Sequence, residues 1–424
     1  MQGAVFGILF DCKNKWCCHA VESSLVQVEK RMGERESCLT SKEGNMLHSE
    51  PLWAEIDLSA IRHNLSEIRG VVGKDTSMLV VVKGNAYGHG AIQVANAAVR
   101  EGVEYLGVAR MSEAIVLRNA GIKAPILILG YTPPECAPRL VDLRLTQTVH
   151  SCEYAERLAS FLHCANAKLT VHIKIDTGMG RLGLLPECEP GQSSIIDRLQ
   201  DISRHKVFDL QGIYTHFAAS DAACLDNARK QLALFTETLA TLKQAGFDFP
   251  LVHAANSAAI MTMPEAYFTM VRPGIVTYGL YPSNEVDRSV FALKPAMTVK
   301  ASLVSVKDAR KGTTVSYGHT HVCDDQTRIG VVPIGYADGY DRLLSSQGTM
   351  IVRGKRVPVV GRICMDQTMV DLGAVEHAEC GDEVVILGKQ GESEVSADEM
   401  AETLGTINYE VVTRMMARVR RVYV

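Results

Sequence analysis

At 424 residues the chain can hold two domains, or one large barrel with an addition, and its 47% apolar content excludes a disordered chain. A net charge of −4 with 22% charged residues leaves no basic stripe for nucleic acid, and no uninterrupted apolar run is long enough to span a membrane. Twelve cysteines without metal-ligand spacing fit reduced thiols in a cytoplasm, with no metal site and no disulfide framework.

Residues 1–50 read differently from the rest. The apolar patch Gly3–Phe10 precedes Asp11, Lys13 and Lys15. A signal peptide would carry its positive charge before the apolar run and small residues after it. The segment is expected to be a disordered or artefactual extension, with Met32 or Met46 as alternative starts.

From Trp53 to about Leu280, strand-like runs alternate with helix-like ones. The strand candidates are Met78–Lys83, Glu104–Ala109, Ala124–Gly130, Leu145–His150, Leu169–Asp176, Leu210–Ala218, Leu251–Ser257 and Met270–Ile275. Amphipathic stretches such as Ala91–Gly102, Glu153–Leu162 and Asn227–Gly246 lie between them. This alternation predicts an α/β fold, a (β/α)8 TIM-type barrel over residues 51–285. A doubly wound sheet is the alternative, but no G-x-G-x-x-G follows the first strand. Residues that end barrel strands face the chemistry. Lys83, Lys174, His216, Asn256, Ser257 and Arg272 are therefore candidates by position.

Residues 286–424 change character. Ala296–Val306, Thr327–Tyr336, Thr349–Asp366 and Glu383–Gly388 alternate apolar with polar residues between glycine turns. They predict a mainly antiparallel β domain, followed by a short capped helix in Ser396–Thr406.

The run Leu79–Val82 ends abruptly in Lys83. A lysine closing a buried strand is costly unless it is paired, reaches solvent, or is chemically used, for instance as the amine that forms a Schiff base with a carbonyl cofactor. The segment Val81–Gly90, VVKGNAYGHG, resembles the cofactor-lysine segment of bacterial alanine racemases, enzymes of PLP fold-type III. The resemblance extends from Trp53 to Val424 in the same domain order.

It implies pyridoxal 5′-phosphate (PLP) as cofactor and interconversion of L- and D-alanine through a PLP external aldimine by two bases, supplying D-alanine for peptidoglycan. Lys83 is one implied base. Tyr317, in VSYGHT, is the other, on the opposite face of the substrate. Tyr87, Ser257, Gly274 and Ile275 would hold the phosphate. Arg272 would lie against the ring nitrogen, with His216 linking it to the catalytic tyrosine. Guanidinium has no acceptor and cannot be deprotonated, so the ring nitrogen would stay neutral and a lasting carbanion would be disfavoured.

In the segment His172–Gly183, Arg181 would bind the substrate carboxylate. Lys174 matches a family lysine that is often carbamylated. Met365 and Asp366, in GRICMDQ, would enter the active site from the partner subunit together with Tyr317. A cytoplasmic homodimer with shared sites is therefore implied. Tyr336 resembles an entrance-channel residue. Many relatives carry a phosphate-contacting tyrosine near the C-terminus, where this chain has Ala417.

A broader or serine-directed racemase is the nearest alternative. A PLP-binding homeostasis protein would lack the second domain and Tyr317. A PLP-dependent decarboxylase would need an acidic partner for the ring nitrogen, which Arg272 does not supply.

Overall fold

The computed structural model describes residues 50–162, 168–186 and 193–424. The expected N-terminal extension lies, but for its last residue, outside the described residues. Strand β1 (Leu52–Ile56) opens the fold and leads into helix α1 (Leu58–Val72). Asp57 caps that helix by accepting from the Ser59 and Ala60 amides at 2.7 and 3.0 Å, which satisfies two of its orphan donors.

Eight strands then follow: β2 (Ser77–Val81), β3 (Tyr105–Val108), β4 (Ile126–Ile128), β5 (Thr146–Val149), β6 (Leu169–Lys174), β7 (Phe208–Tyr214), β8 (Leu251–His253) and β9 (Met270–Val271). They pair in chain order into a closed barrel, sealed where Ser77 and Met78 of β2 meet Met270 and Val271 of β9. Every pair is parallel. The reason lies in the residues: Met78, Leu79, Val80 and Val81 are all buried, and a strand covered on both faces belongs in a parallel sheet wrapped by helices. The outer helices are α2 (Ala91–Arg100), α3 (Met111–Asn119), α4 (Ala137–Asp142), α5 (Cys152–Ser160), α6 (Ile195–Arg204), α7 (Asp226–Gln244) and α8 (Ser257–Thr262). All eight expected barrel strands are present.

The second region is mainly antiparallel. Strand β10 (Met297–Ser302) pairs with Glu383–Gln390, which continues to Thr349–Val352 and Lys355–Pro358. A separate sheet joins Ser305–Ala309, Thr327–Val332 and Thr368–Asp371. Helices α9 (Ala397–Leu404) and α10 (Asn408–Thr413) precede the last strand, Arg420–Tyr423.

One element sits differently from its sequence position. β1 falls within the stretch expected to form the barrel, yet it pairs antiparallel with β10 and parallel with Arg420–Tyr423. Its burial alternates: Leu52, Ala54 and Ile56 are buried, Trp53 and Glu55 only partly. That period of two suits a sheet with one wetter face and not a barrel stave. Glu55 also completes a cross-strand pair with Lys300 at 3.0 Å. The chain therefore starts in the β domain, crosses into the barrel and returns.

Asn64, fully buried on α1, fastens the segment that links the two regions. Its Nδ2 donates to the Thr277 and Lys294 carbonyls at 3.2 and 2.9 Å, and its Oδ1 accepts from the Lys294 amide at 2.8 Å. Replacing it with leucine strands one buried amide and two carbonyls. Asn64→Leu is expected to lower the unfolding free energy by about 3 kcal/mol or more, read by denaturant titration; a loss under about 1 kcal/mol would show that this link does not bear on stability.

Candidate active site

Lys83 emerges at the C-terminal mouth of the barrel, at the head of an unusual turn. Gly84, Asn85, Ala86 and Tyr87 all have positive φ, between 51° and 62°. This is a left-handed helical turn, held internally by Ala86 N–H to Val82 O at 2.8 Å and Gly88 N–H to Gly84 O at 3.0 Å. His89, fully buried, hydrogen-bonds through Nδ1 to the Ala86 and Tyr87 carbonyls at 3.1 and 3.0 Å. The glycines that follow are dictated by close approach. A Cβ on Gly88 would lie 2.2 Å from the Val412 carbonyl oxygen, and one on Gly90 would lie 1.9 Å from the Tyr423 hydroxyl.

The turn forms one wall of a cavity of about 260 Å3. Lys83, Tyr87, Lys174, Arg181, His216, Asn256, Ser257, Arg272, Gly274 and Ile275 all line it, so the structure brings together every candidate that the strand ends supplied. Four of these residues are cations, and no carboxylate is among the lining residues. The charge is felt by its own members. Burial, then the Arg181 guanidinium, lowers the Lys83 amine below the ordinary lysine range. Lys174 is pushed down to about 8 by burial and then by Arg181 and Arg272.

Arg272 is held in place from behind. It is 4% exposed. Its Nη1 donates to His253 Nδ1 at 3.0 Å, and its Nη2 to the Thr215 and Ala254 carbonyls at 2.8 Å and to His216 Nδ1 at 3.2 Å. His253 Nε2 lies 2.9 Å from His172 Nδ1. Guanidinium can only donate, so His253 accepts at Nδ1 and donates from Nε2, which makes His172 Nδ1 an acceptor. Burial lowers His172 to about 3 and His253 well below the ordinary range. Both rings stay neutral, and the charge remains on Arg272, whose own value burial lowers only to about 10. Tyr214 stacks on His253 at 4.6 Å and faces Arg272 at 5.3 Å and Lys174 at 5.6 Å.

Arg181 is carried by a loop that Asp176 organises. Burial would raise the Asp176 carboxyl, but hydrogen bonds from the Gly178, Gly180, Arg181 and Met179 amides outweigh it and lower the value. Gly274 and Ser257 make the anion-sized niche. The Gly274 amide donates to Ser257 Oγ at 2.8 Å, and a Cβ on Gly274 would stand 2.9 Å from the Tyr87 hydroxyl. A cofactor bearing a carbonyl for Lys83 and a dianionic phosphate for this niche fits the donors present.

Four expected residues, Tyr317, Tyr336, Met365 and Asp366, are not part of this cavity. Tyr317 is 69% exposed, Met365 52% and Tyr336 43%, all on the β domain. Ser316, next to Tyr317, hydrogen-bonds to the Arg362 carbonyl, and the Tyr336 amide to the Cys364 carbonyl, so the segments that carry Tyr317 and Tyr336 both join the segment that carries Met365. Asp366, on the same segment, pairs with Arg418, which also binds Asp338 at 2.5 Å.

The chain also supplies what the sequence was expected to lack. Ala417 is exposed, but Tyr409, the second residue of α10, lines the cavity 6.2 Å from the Tyr87 ring. A C-terminal tyrosine therefore reaches the site from INYEVV, eight residues before the position where it was sought. Tyr214 and His253 were passed over as well, since a strand histidine or tyrosine reads first as core.

A parallel barrel with a lysine at a strand end, a cationic niche and a companion β domain defines a class of barrel enzymes. Family models agree: the alanine racemase N-terminal domain matches residues 56–282, and the alanine racemase C-terminal domain matches residues 296–423. The alanine racemase of Desulforamulus reducens is 48% identical over 88% of this chain and 99% of its own. That of Methanococcus maripaludis is 44% identical over 88% and 99%. The solved alanine racemase of Clostridium difficile superposes with a TM-score of 0.83 at 39% identity, over 88% of this chain and 96% of that one. The alanine racemase of Bacillus anthracis, solved with bound L-Ala-P, gives 0.82 at 37%, over 88% and 95%. The chain belongs to the alanine racemase family and is an enzyme.

The lowered Lys174 amine has a consequence for stability. Its folded value, about 8, lies below the ordinary lysine value of about 10.4. Between these values the unfolded chain holds the extra proton, so the charged amine costs stability below pH 8, and that cost fades as pH rises toward 10.4. In carbon dioxide-depleted buffer without cofactor, Lys174→Met should be more stable than the parent at pH 7, on the order of 1–3 kcal/mol, and should lose that advantage near pH 10. A variant less stable at pH 7 would contradict the assignment.

Proposed function

We propose that the chain interconverts L- and D-alanine with pyridoxal 5′-phosphate, using Lys83 and the partner subunit's Tyr317 as bases on opposite faces of the substrate. The observation that carries this reading is the cavity's charge: four cations and no carboxylate among the lining residues. Such a cavity calls for bound anions. A phosphate, the carboxylate of an amino acid and a modified lysine supply them.

When bound, the cofactor offers a carbonyl carbon to amines and a conjugated ring that withdraws electrons from the substrate's Cα. The rest is done by this chain's own residues. Ser257, the Gly274 and Ile275 backbone, Tyr87 and Tyr409 would hold the phosphate. Arg181 would take the substrate carboxylate with its planar fork. Arg272, kept charged and unable to accept, would donate to the ring nitrogen and keep it unprotonated. Lys83 Nζ would hold or release the proton on one face, and its depressed amine is available as a base closer to neutrality. Carbamylation of Lys174 would replace a cation beside Arg181 with an anion, and its lowered amine favours that modification.

The second base has to come from elsewhere, because the residues lining the cavity of a single chain do not include Tyr317. Its exposure, shared with Met365 and Tyr336, supports a homodimer in which each β domain completes the partner's site. In that setting the partner subunit's Tyr317 would face His216, which is hydrogen-bonded to Arg272. The family default places the enzyme in the cytoplasm, supplying D-alanine for peptidoglycan. Among the described residues no helix is long and apolar enough to cross a membrane.

The test is a racemisation assay on the purified full chain with added pyridoxal phosphate, run from both L- and D-alanine with L-serine alongside. Both directions should approach an equal mixture, with alanine preferred. Lys83→Ala should lose at least about a thousandfold, since the amine is both the cofactor's anchor and a base. Substantial turnover in that variant, or no racemisation of alanine by the parent, would refute the reading.

A further inference from the structure

Glu113 stands at the first turn of α3, where an acidic side chain usually does no more than cap its helix. Half of its carboxylate does that: Oε2 accepts from the Ala109 and Arg110 amides at 2.7 and 3.1 Å. The other half points away from the helix. Oε1 accepts from the Gly84 amide at 2.7 Å, the first peptide after Lys83 and the entry to the left-handed turn. No expectation from the sequence singled this residue out.

We propose that Glu113 is a positioning residue for Lys83, pinning the strained turn that carries the lysine and setting a carboxylate opposite its amine. Both residues line a second cavity of about 430 Å3, so Lys83 stands between that cavity and the cationic one. The geometry makes two demands that a neutral or shorter side chain cannot meet. The carboxylate spans two loops, β2 to Gly84 and β3 to α3, accepting three amides with two oxygens. Glutamine has one acceptor oxygen and would turn an amide donor toward an amide donor. Aspartate keeps the charge but is one methylene too short to bridge.

The electrostatic part is equally specific. Among the charges that bear on Lys83, Arg181 and Arg272 lower the amine and Glu113 raises it. Removing that one carboxylate should therefore drop the amine further. Position and proton affinity of Lys83 are thereby coupled through a single side chain.

This inference rests on the reading that Lys83 is the reacting amine, and the experiment separates the two. The full chain is freed of cofactor, and the pH dependence of Lys83 acetylation by trace acetic anhydride is read by mass spectrometry. The rate of borohydride-trappable adduct formation at Lys83 with pyridoxal phosphate is measured alongside. Glu113→Gln should shift the Lys83 titration to lower pH and slow adduct formation at least tenfold at its pH plateau. Glu113→Asp should leave the titration with the parent while still slowing the adduct. That split is the signature a merely structural role would not give. An unmoved titration in Glu113→Gln, or an unchanged adduct rate in Glu113→Asp, overturns the proposal. If Glu113→Gln does not fold, the Asp variant decides alone: a slower adduct with an unmoved titration supports the role, and any other result removes it. Should Lys83→Ala keep racemising alanine, the reading beneath has failed instead, whatever Glu113 does.

Discussion

Three consecutive L-residues, Asn85, Ala86 and Tyr87, are held in the left-handed region, at a cost of roughly 1–2 kcal/mol each. Much of the structure around the barrel mouth serves that constraint. His89 accepts its buried position to bind the Ala86 and Tyr87 carbonyls, Glu113 takes the Gly84 amide, and the Asn85 side chain accepts from the Ala91 amide at 2.9 Å. From the far end of the chain, Arg421 donates to the Gly88 carbonyl at 3.0 Å. Such strain persists only where its surroundings over-determine it, and it gathers at functional sites. Here it places Lys83 and Tyr87 on one wall of the same cavity. The elements from the far end of the chain close on the same turn, α10 against Gly88 through Val412 and the last strand against Gly90 through Tyr423.

The second organising fact is electrostatic. Burying Lys174 and Arg272 beside Lys83 and Arg181 is unfavourable in isolation. The fold tolerates it by neutral hydrogen bonds in place of counter-charges: two imidazoles, two backbone carbonyls and an aromatic face surround Arg272. A carboxylate partner would have cancelled the charge that an anionic ligand needs. Arg272 therefore stands in the cavity wall as a group that can donate and cannot accept. The site is thus built for anions before any is bound.

Much of this was legible in the sequence, for physical reasons. Barrel strands declared themselves because burial on both faces leaves continuous apolar runs, and the residues closing those runs proved to line the cavity. β1 was not separable from the barrel, because five residues of alternating burial carry little signal beside so many strands. Tyr409 was missed because α10 is short and only its packing against Tyr87 reveals its direction. Glu113 and His253 look ordinary, a helix-cap acid and a strand histidine, and their roles lie in contacts that no local pattern encodes. Tyr317 was singled out by resemblance alone. With 69% of its surface exposed, it carries no mark of chemistry within one chain.

That exposed tyrosine is where the central claim is most open to measurement. Two inactive variants, Lys83→Ala and Tyr317→Phe, are purified with different tags, allowed to exchange subunits, and the mixed dimer isolated. If each site joins one chain's Lys83 to the other chain's Tyr317, one site of the mixed dimer carries both lesions and the other carries none. Alanine racemisation should then return to about half the parent rate per dimer, an expectation set by shared-site geometry. An isolated mixed dimer as inactive as its two parents would contradict the account.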